Sequence, residues 1–392
     1  MIDYDKVLSE KVRDMKPSGI RKFFDIAGTM EGVISLGVGE PDFSTPWAIR
    51  KAAIRTLERK NIIYGPNKGL VNLRTTISGY IAKKHGVVYN PDDEIIVTVG
   101  GSEAIDLAVR GIVNPGDEVL VVEPCFVCYA PLVELVGGVA VPVPTRIENN
   151  FKLTVDDLKD KITDKTKMLI LPFPNNPTGA VMTREDLEPI AELLRDTDIM
   201  VLSDEIYSEL TYGLRHFSII ELDGMRERTI LVNGFSKAYA MTGWRLGYMA
   251  APEPIISQLV KIHQYGIMCS PYISQNAAVE ALTSCDAEVA KMVNEYNIRR
   301  RFPHLLHNGF LHTIHPIQLQ SFDTDIYSVH RYLPNTASPK STRSILYFIA
   351  LMVSTIFTLL IATNVTFGSC NLPFLNSMNL YISFFSLLII AG

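Results

Sequence analysis

Cysteine is scarce in this sequence: Cys125, Cys128, Cys269, Cys285 and Cys370 are the only five in 392 residues. That is too few, and too scattered, for a disulfide-stapled secreted fold. The opening stretch MIDYDKVLSEKVRDMK is charged where a secretory signal would be apolar, so a reduced, cytoplasmic setting is expected. Cys125 and Cys128 have redox or zinc spacing, but no second Cys/His pair follows at zinc-site distances, and buried small side chains are the default reading. Basic runs are missing too. With 37 Lys+Arg against 42 Asp+Glu the net charge is −5, which removes the electrostatic footprint of a nucleic-acid binder. A dinucleotide G-x-G-x-x-G after the first strand is absent, and so is a phosphate-loop G-x4-G-K-[ST]. Nicotinamide and nucleoside-triphosphate chemistry lose their usual signatures.

Charge is unevenly spread. Residues 303–392 hold only Asp323, Asp325, Arg331, Lys340 and Arg343, with five of the eight histidines and three of the 25 glycines. From Ser344 to Gly392 there is no charged residue and no histidine. Ser344–Thr363 is long enough to span a bilayer, whereas Leu380–Ala391 is too short for a span. Two readings of this tail stand: a C-terminal membrane anchor, or a shifted reading frame from about residue 302, which the abrupt change of composition favours.

Before that point the chain alternates short β-branched runs with amphipathic stretches, the pattern of βα units and a mostly parallel sheet. Strands are expected at 94–100, 118–123, 139–144, 167–173, 199–204, 229–235 and 247–252. Helices are expected over Ser102–Arg110 and Thr183–Arg195, the second with an N-cap signal in Thr183-Arg184-Glu185-Asp186. Gly65-Pro66-Asn67-Lys68-Gly69 reads as a turn ahead of the sheet.

Ligands of such sheets sit where strands end and loops begin. Three strand ends carry polar groups that an apolar core would not choose: Asn175-Asn176-Pro177-Thr178-Gly179, Asp204-Glu205-Ile206-Tyr207 and Ser236-Lys237. Each alone reads as a cap or turn. Together they offer an amide, a carboxylate, a phenol and an amine along one edge. A cofactor with a cationic ring nitrogen, a phenolate oxygen, an aldehyde and a phosphate needs all of these, plus helix N-terminal N–H groups and an arginine for its phosphate. That describes pyridoxal 5′-phosphate.

Five spaced motifs carry a resemblance: Gly37-Val38-Gly39-Glu40-Pro41-Asp42-Phe43, Tyr64-Gly65-Pro66-Asn67-Lys68-Gly69, Asn176-Pro177-Thr178-Gly179, Asp204-Glu205-Ile206-Tyr207, and Ser236-Lys237-Ala238-Tyr239-Ala240-Met241-Thr242-Gly243-Trp244-Arg245-Leu246-Gly247-Tyr248. Over about residues 15–302 the sequence resembles the class I/II aminotransferases, the fold type I pyridoxal-phosphate enzymes, and most of all their aspartate/aromatic branch. The resemblance implies an α/β fold: a large domain with a mostly parallel seven-stranded sheet, and a small domain drawn from both termini whose C-terminal part is atypical here. The implied division is an arm and small-domain segment at 1–45, a cofactor-binding domain at 46–285, the start of the C-terminal small domain at 286–302 and the anomalous tail at 303–392.

Carried over by position, the resemblance implies that Lys237 is the Schiff-base lysine and proton shuttle, and that Asp204 pairs with the pyridine nitrogen. Asn176 and Tyr207 would contact the ring oxygen, and Phe126 would stack on the ring or be a plain core aromatic. Gly101, Ser102 and Glu103 would hold the phosphate with Arg245. Ser236 stands beside the lysine but does not obviously replace the hydroxyl that the family often has at the position of Gly234. Tyr64 would reach the phosphate of the neighbouring subunit, making the active form a homodimer, and Gly39 would approach the substrate carboxylate.

The family pattern also calls for a Pro-Lys-Gly-Ala-Phe-Tyr-like strand and a late arginine that grips the substrate carboxylate. Residues 303–392 contain no such strand, and their Arg331 and Arg343 lack the surrounding pattern, so neither is assigned that role. The expected activity is transfer of an α-amino group from an aspartate-type or aromatic L-amino acid to a 2-oxo acid. A carbon–sulfur β-lyase on the same scaffold, or a cofactor-binding chain disabled by the missing arginine, are the alternatives. Cys269-Ser270-Pro271-Tyr272 offers no second cation for an acidic side chain.

Overall fold

The computed structural model describes residues 2–17, 29, 39–59 and 61–310, the last nine by backbone alone. The apolar runs at 344–363 and 380–391, and the tail from 311 on, lie outside the described residues. The chain divides into two units, residues 1–23 with 43–324, and residues 24–42 with 325–392. In the second, described residues 39–41 have no regular structure.

The first unit opens with two short helices that bury nothing, α1 (Tyr4–Val7) and α2 (Glu10–Asp14). Two longer ones follow, α3 (Trp47–Glu58) and α4 (Val71–His85), the latter closed by Gly86 in the left-handed region. The sheet comprises β1 (Ile95–Thr98), β2 (Glu118–Glu123), β3 (Val139–Pro144), β4 (Thr166–Leu171), β5 (Met200–Asp204), β6 (Thr229–Gly234) and β7 (Gly247–Ala250). All seven expected strands are present, two with the expected bounds and the others with ends shifted by at most two residues. Between and after them lie α5 (Gly101–Ile112), α6 (Tyr129–Leu135), α7 (Val155–Lys159), α8 (Arg184–Arg195), α9 (Glu253–Gly266), α10 (Tyr272–Ser284) and α11 (Asp286–Phe310).

Strand order is β1-β7-β6-β5-β4-β2-β3. β2 to β6 run parallel, and β7 is antiparallel to both of its neighbours. Both faces are covered, which is why the strands read as near-continuous apolar runs. Alternate residues go to opposite layers. Val119 and Val121 pack with Ala104, Leu107 and Ala108 of α5 and Ile256 and Leu259 of α9. Leu120 and Val122 pack with Leu187, Ile190 and Leu194 of α8. Each of the valine, leucine and isoleucine side chains contributes roughly 1.5–3 kcal/mol by leaving water.

The N-cap signal before α8 is realised as a capping box: Asp186 Oδ2 accepts from the Thr183 N–H at 2.8 Å and from Thr183 Oγ1 at 2.9 Å. No helix among the described residues is long and apolar enough to cross a membrane. The parallel strands all end on one edge, and that edge holds Glu123, Leu171, Asp204 and Gly234. Thr98 joins it, because Thr98 and Gly234 both pair with Gly247.

Candidate active site

Asp204 closes β5 and is 6% exposed. Its Oδ2 accepts a hydrogen bond from Tyr129 Oη at 2.8 Å, and Oδ1 accepts from the Ile206 N–H at 3.2 Å. Burial pushes the carboxyl up to about 6, against these two bonds, which act to lower it. A cation placed against it would restore the ionised form.

The next residue is equally buried and behaves differently. Glu205 takes Ser203 Oγ at 2.8 Å and Ser218 Oγ at 2.5 Å on Oε1, and His216 Nε2 lies 2.6 Å from Oε2. Burial opposes its ionisation, but His216, with His85 and Ser218, outweighs it and leaves the carboxyl below its ordinary value. Of two adjacent acids, Glu205 is satisfied from within and Asp204 is the one that calls for an outside cation.

Lys237 follows β6, the parallel neighbour of β5. Its Nζ lies 5.6 Å from the centre of the Tyr207 ring, within cation–π range. Tyr207 Oη accepts from Asn176 Nδ2 at 3.4 Å. Asn175 is the turn-maker beside it: its Oδ1 accepts from Thr178 N–H at 3.0 Å and Thr178 Oγ1 at 2.8 Å, and its Nδ2 donates to Pro124 O at 3.2 Å. The turn thereby leaves the Asn176 side chain exposed.

At the other end of the edge, β1 turns into α5 through Gly100, whose φ of +79° suits glycine. A Cβ there would stand 2.7 Å from Arg245 Nη2, so the guanidinium lies over the turn. Gly247 is required for a different reason. A Cβ on it would lie 2.7 Å from Gly100 C and 2.8 Å from Gly101 N, both backbone atoms. Arg245 itself has φ +50°, and Ala240 in the same loop +51°. Non-glycine residues pay on the order of 1–3 kcal/mol for that region, and such strain clusters at functional sites. Gly101 and Ser102 open the helix, so their N–H groups lack intrahelical acceptors and face an anion-favouring dipole end.

The expected site residues are thus brought to one edge, with exceptions in detail. Glu103 begins α5 as expected, but its side chain is turned away to other work: Oε2 accepts from the Val99 N–H, and Oε1 lies 2.7 Å from His263 Nδ1. Only its backbone N–H remains to serve an anion. Phe126, in the loop after β2, is 40% exposed and meets Tyr129 edge-on at 6.2 Å. Ser236 is buried, and its carbonyl accepts from the Met241 N–H at 3.2 Å. Tyr64 is 76% exposed. Gly39 belongs to the second unit, and the site described here is built from the first alone.

Two contributors escape a reading of the sequence. Tyr129 looks like a core aromatic, yet its phenol, pushed well above its ordinary value by burial, is a fixed donor to Asp204. His263, 160 residues from Glu103, carries no local signal at all. The Cys125 thiol is pushed up to about 12 and that of Cys128 higher, both by burial first, which is the reverse of a reactive or metal-binding pair. No cluster of metal-ligating side chains occurs among the described residues.

The donor set fits pyridoxal 5′-phosphate: a buried carboxyl wanting a cation, an amine, a phenol and amide, and a glycine-lined helix start under an arginine. The family model "Aminotransferase class I and II" matches residues 31–323. "Putative aminotransferase YugH" of Bacillus subtilis is 52% identical over 293 residues, which cover 75% of this chain and 76% of that protein. "Aromatic-amino-acid aminotransferase 2" of Thermococcus litoralis is 45% identical over 296 residues, 75% of this chain and 76% of that one. Among solved structures, aspartate aminotransferase from Thermus thermophilus with maleate is similar at a TM-score of 0.74 and 37% identity, covering 77% of this chain and 80% of that one.

Proposed function

This chain belongs to the class I and II aminotransferases, which use pyridoxal 5′-phosphate, and on that premise we propose that it moves the α-amino group of an aspartate-type or aromatic L-amino acid to a 2-oxo acid. The names of the relatives support that substrate range. The observation that carries the assignment of the site is the buried, cation-seeking carboxyl of Asp204 on the same strand edge as Lys237 and the α5 N-terminus.

When bound, the cofactor supplies an aldehyde carbon for the amino group and a cationic ring that draws electrons away from the substrate α-carbon. Asp204, oriented by Tyr129 and the Ile206 N–H, keeps the ring nitrogen protonated. Lys237 would be the residue that binds the aldehyde, and its Nζ, once freed, would carry the proton taken from the substrate α-carbon. Tyr207 and Asn176 would be the donors for the ring oxygen, and Phe126 the aromatic that would stack on the ring. Gly101, Ser102 and the Glu103 N–H hold the phosphate under Arg245.

The active form in this reading is a cytoplasmic homodimer, with the exposed Tyr64 reaching the neighbouring subunit's phosphate. Ile62 and Ile63 beside it are also exposed, as an interface segment in a single chain would be. Residues 303–392 are read as out of frame, and the missing carboxylate arginine as their consequence.

The deciding experiment is an absorbance spectrum of the chain with pyridoxal phosphate, before and after adding L-aspartate or L-phenylalanine, with Lys237→Ala as control. A lysine-dependent visible band that bleaches on amino-acid addition, with a 2-oxo acid formed, establishes the reaction. A band that yields pyruvate and ammonia from a β-thio amino acid moves the assignment to β-lyase. No lysine-dependent band sinks the site assignment.

A further inference from the structure

Glu103 and His263 form a buried pair directly behind the turn that leads into α5. His263, on α9, is fully buried, and the Glu103 side chain is 10% exposed. His263 Nε2 has no hydrogen-bond partner among the described residues. A buried polar atom left without a partner is costly, so this histidine is kept for something other than filling space. A carboxylate in the first turn of a helix normally answers its own N-terminal N–H groups. If that charge faced the helix mouth it would repel an incoming phosphate.

Here the two oxygens are used up elsewhere. One holds the Val99 N–H, just before Gly100, and the other meets His263 Nδ1. The turn is held from a second side by Thr98 Oγ1, which donates to Gly100 O at 3.0 Å. Helix α9 is itself fixed against α5: a Cβ on Gly111 would come within 2.1 Å of Leu259 Cδ2, one turn before His263.

We infer that Glu103 and His263 are positioning residues for the phosphate: the pair pins the Val99–Gly101 turn and draws the carboxylate charge inward, so that the first N–H groups of α5 and Arg245 face the anion unopposed. The inference rests on the reading that the cofactor's phosphate docks at this helix. It gives the Glu103 side chain a task beside the phosphate contact expected of the helix start.

The test titrates the cofactor-free full chain with pyridoxal phosphate and, separately, with pyridoxal, which lacks the phosphate, and compares the two dissociation constants. Glu103→Ala and His263→Ala are expected to cut the preference for the phosphorylated form about tenfold or more, the scale of a charge-assisted contact, while pyridoxal binding stays as in the parent. Glu103→Gln, whose carbonyl still accepts from Val99, is expected to restore most of the preference. Arg245→Ala calibrates the experiment. If it lowers the preference and the Glu103 and His263 variants do not, the inference fails while the phosphate site stands. If Arg245→Ala has no effect either, the docking site itself is wrong. Equal loss for both ligands would reduce the pair to a general structural role and overturn the inference. Should the alanine variants not fold, His263→Leu, which fills much of the space but removes the ring nitrogen that meets Glu103, carries the same decision.

Discussion

Burial raises the Asp204 carboxyl to about 6, where an unfolded chain would release its proton near the ordinary aspartate value of 3.8. A group that binds its proton more tightly when folded stabilises the fold below its unfolded pKa and loses that contribution as pH rises through the folded one. The cofactor-free protein should therefore lose on the order of 3 kcal/mol between pH 4 and 7 from this residue. Denaturant unfolding of the cofactor-free Asp204→Asn variant is expected to lack that fall, and an unchanged pH slope would count against the burial argument. Glu205 makes the contrasting case. His216→Ala leaves its carboxylate buried without its main partner, a change that costs about 3 kcal/mol or more. The expected result is a lower denaturation midpoint with little change in cofactor affinity, because Asp204 keeps both of its own donors.

At the scale of the element, the site depends on how closely β7 approaches the start of α5. Gly247→Ala would push a Cβ into two backbone atoms, whereas Gly100→Ala meets only the end of the Arg245 side chain, besides its own unfavourable φ. A flexible side chain can move and a paired strand cannot. Gly247→Ala is thus expected to lower the melting temperature well beyond Gly100→Ala, whose cost is about 1 kcal/mol from the backbone alone. Gly100→Ala should show its main effect as weaker cofactor binding through displaced Arg245. Calorimetry and cofactor titration of the two variants separate these effects. The elements themselves were legible in the sequence: unbroken β-branched runs marked strands covered on both faces, and Thr183 with Asp186 announced the cap of α8. Less legible was the antiparallel setting of β7, since GYMA buried on both faces reads the same in either direction.

For the whole molecule, the sharp change of composition near residue 302 bears on whether the chain turns over. Reading the coding DNA in its other two frames from codon 302 is expected to give a charged, glycine-bearing segment with a late arginine. A chain restored in that way should exceed the present one in kcat/KM by about two orders of magnitude or more, the worth of a desolvated bidentate contact to the substrate carboxylate. Equal activity of the two chains would mean that another group already binds the carboxylate. Sedimentation of the restored chain, with a dimer expected, tests the role given to Tyr64.

The sequence by itself determined the sheet, its helical layers and the identity of the chemistry-bearing residues at the strand ends, because strand burial and turn chemistry are written in neighbours a few positions apart. Tertiary structure decided what those residues answer to. Tyr129 reaches Asp204 across 75 positions, His263 reaches Glu103 across 160, and Arg245 comes over Gly100 only because β7 returns between β1 and β6. Such pairings are set by strand order and helix packing. No local pattern encodes them, so nothing in the sequence around Glu103 tells that its carboxylate turns toward a buried histidine.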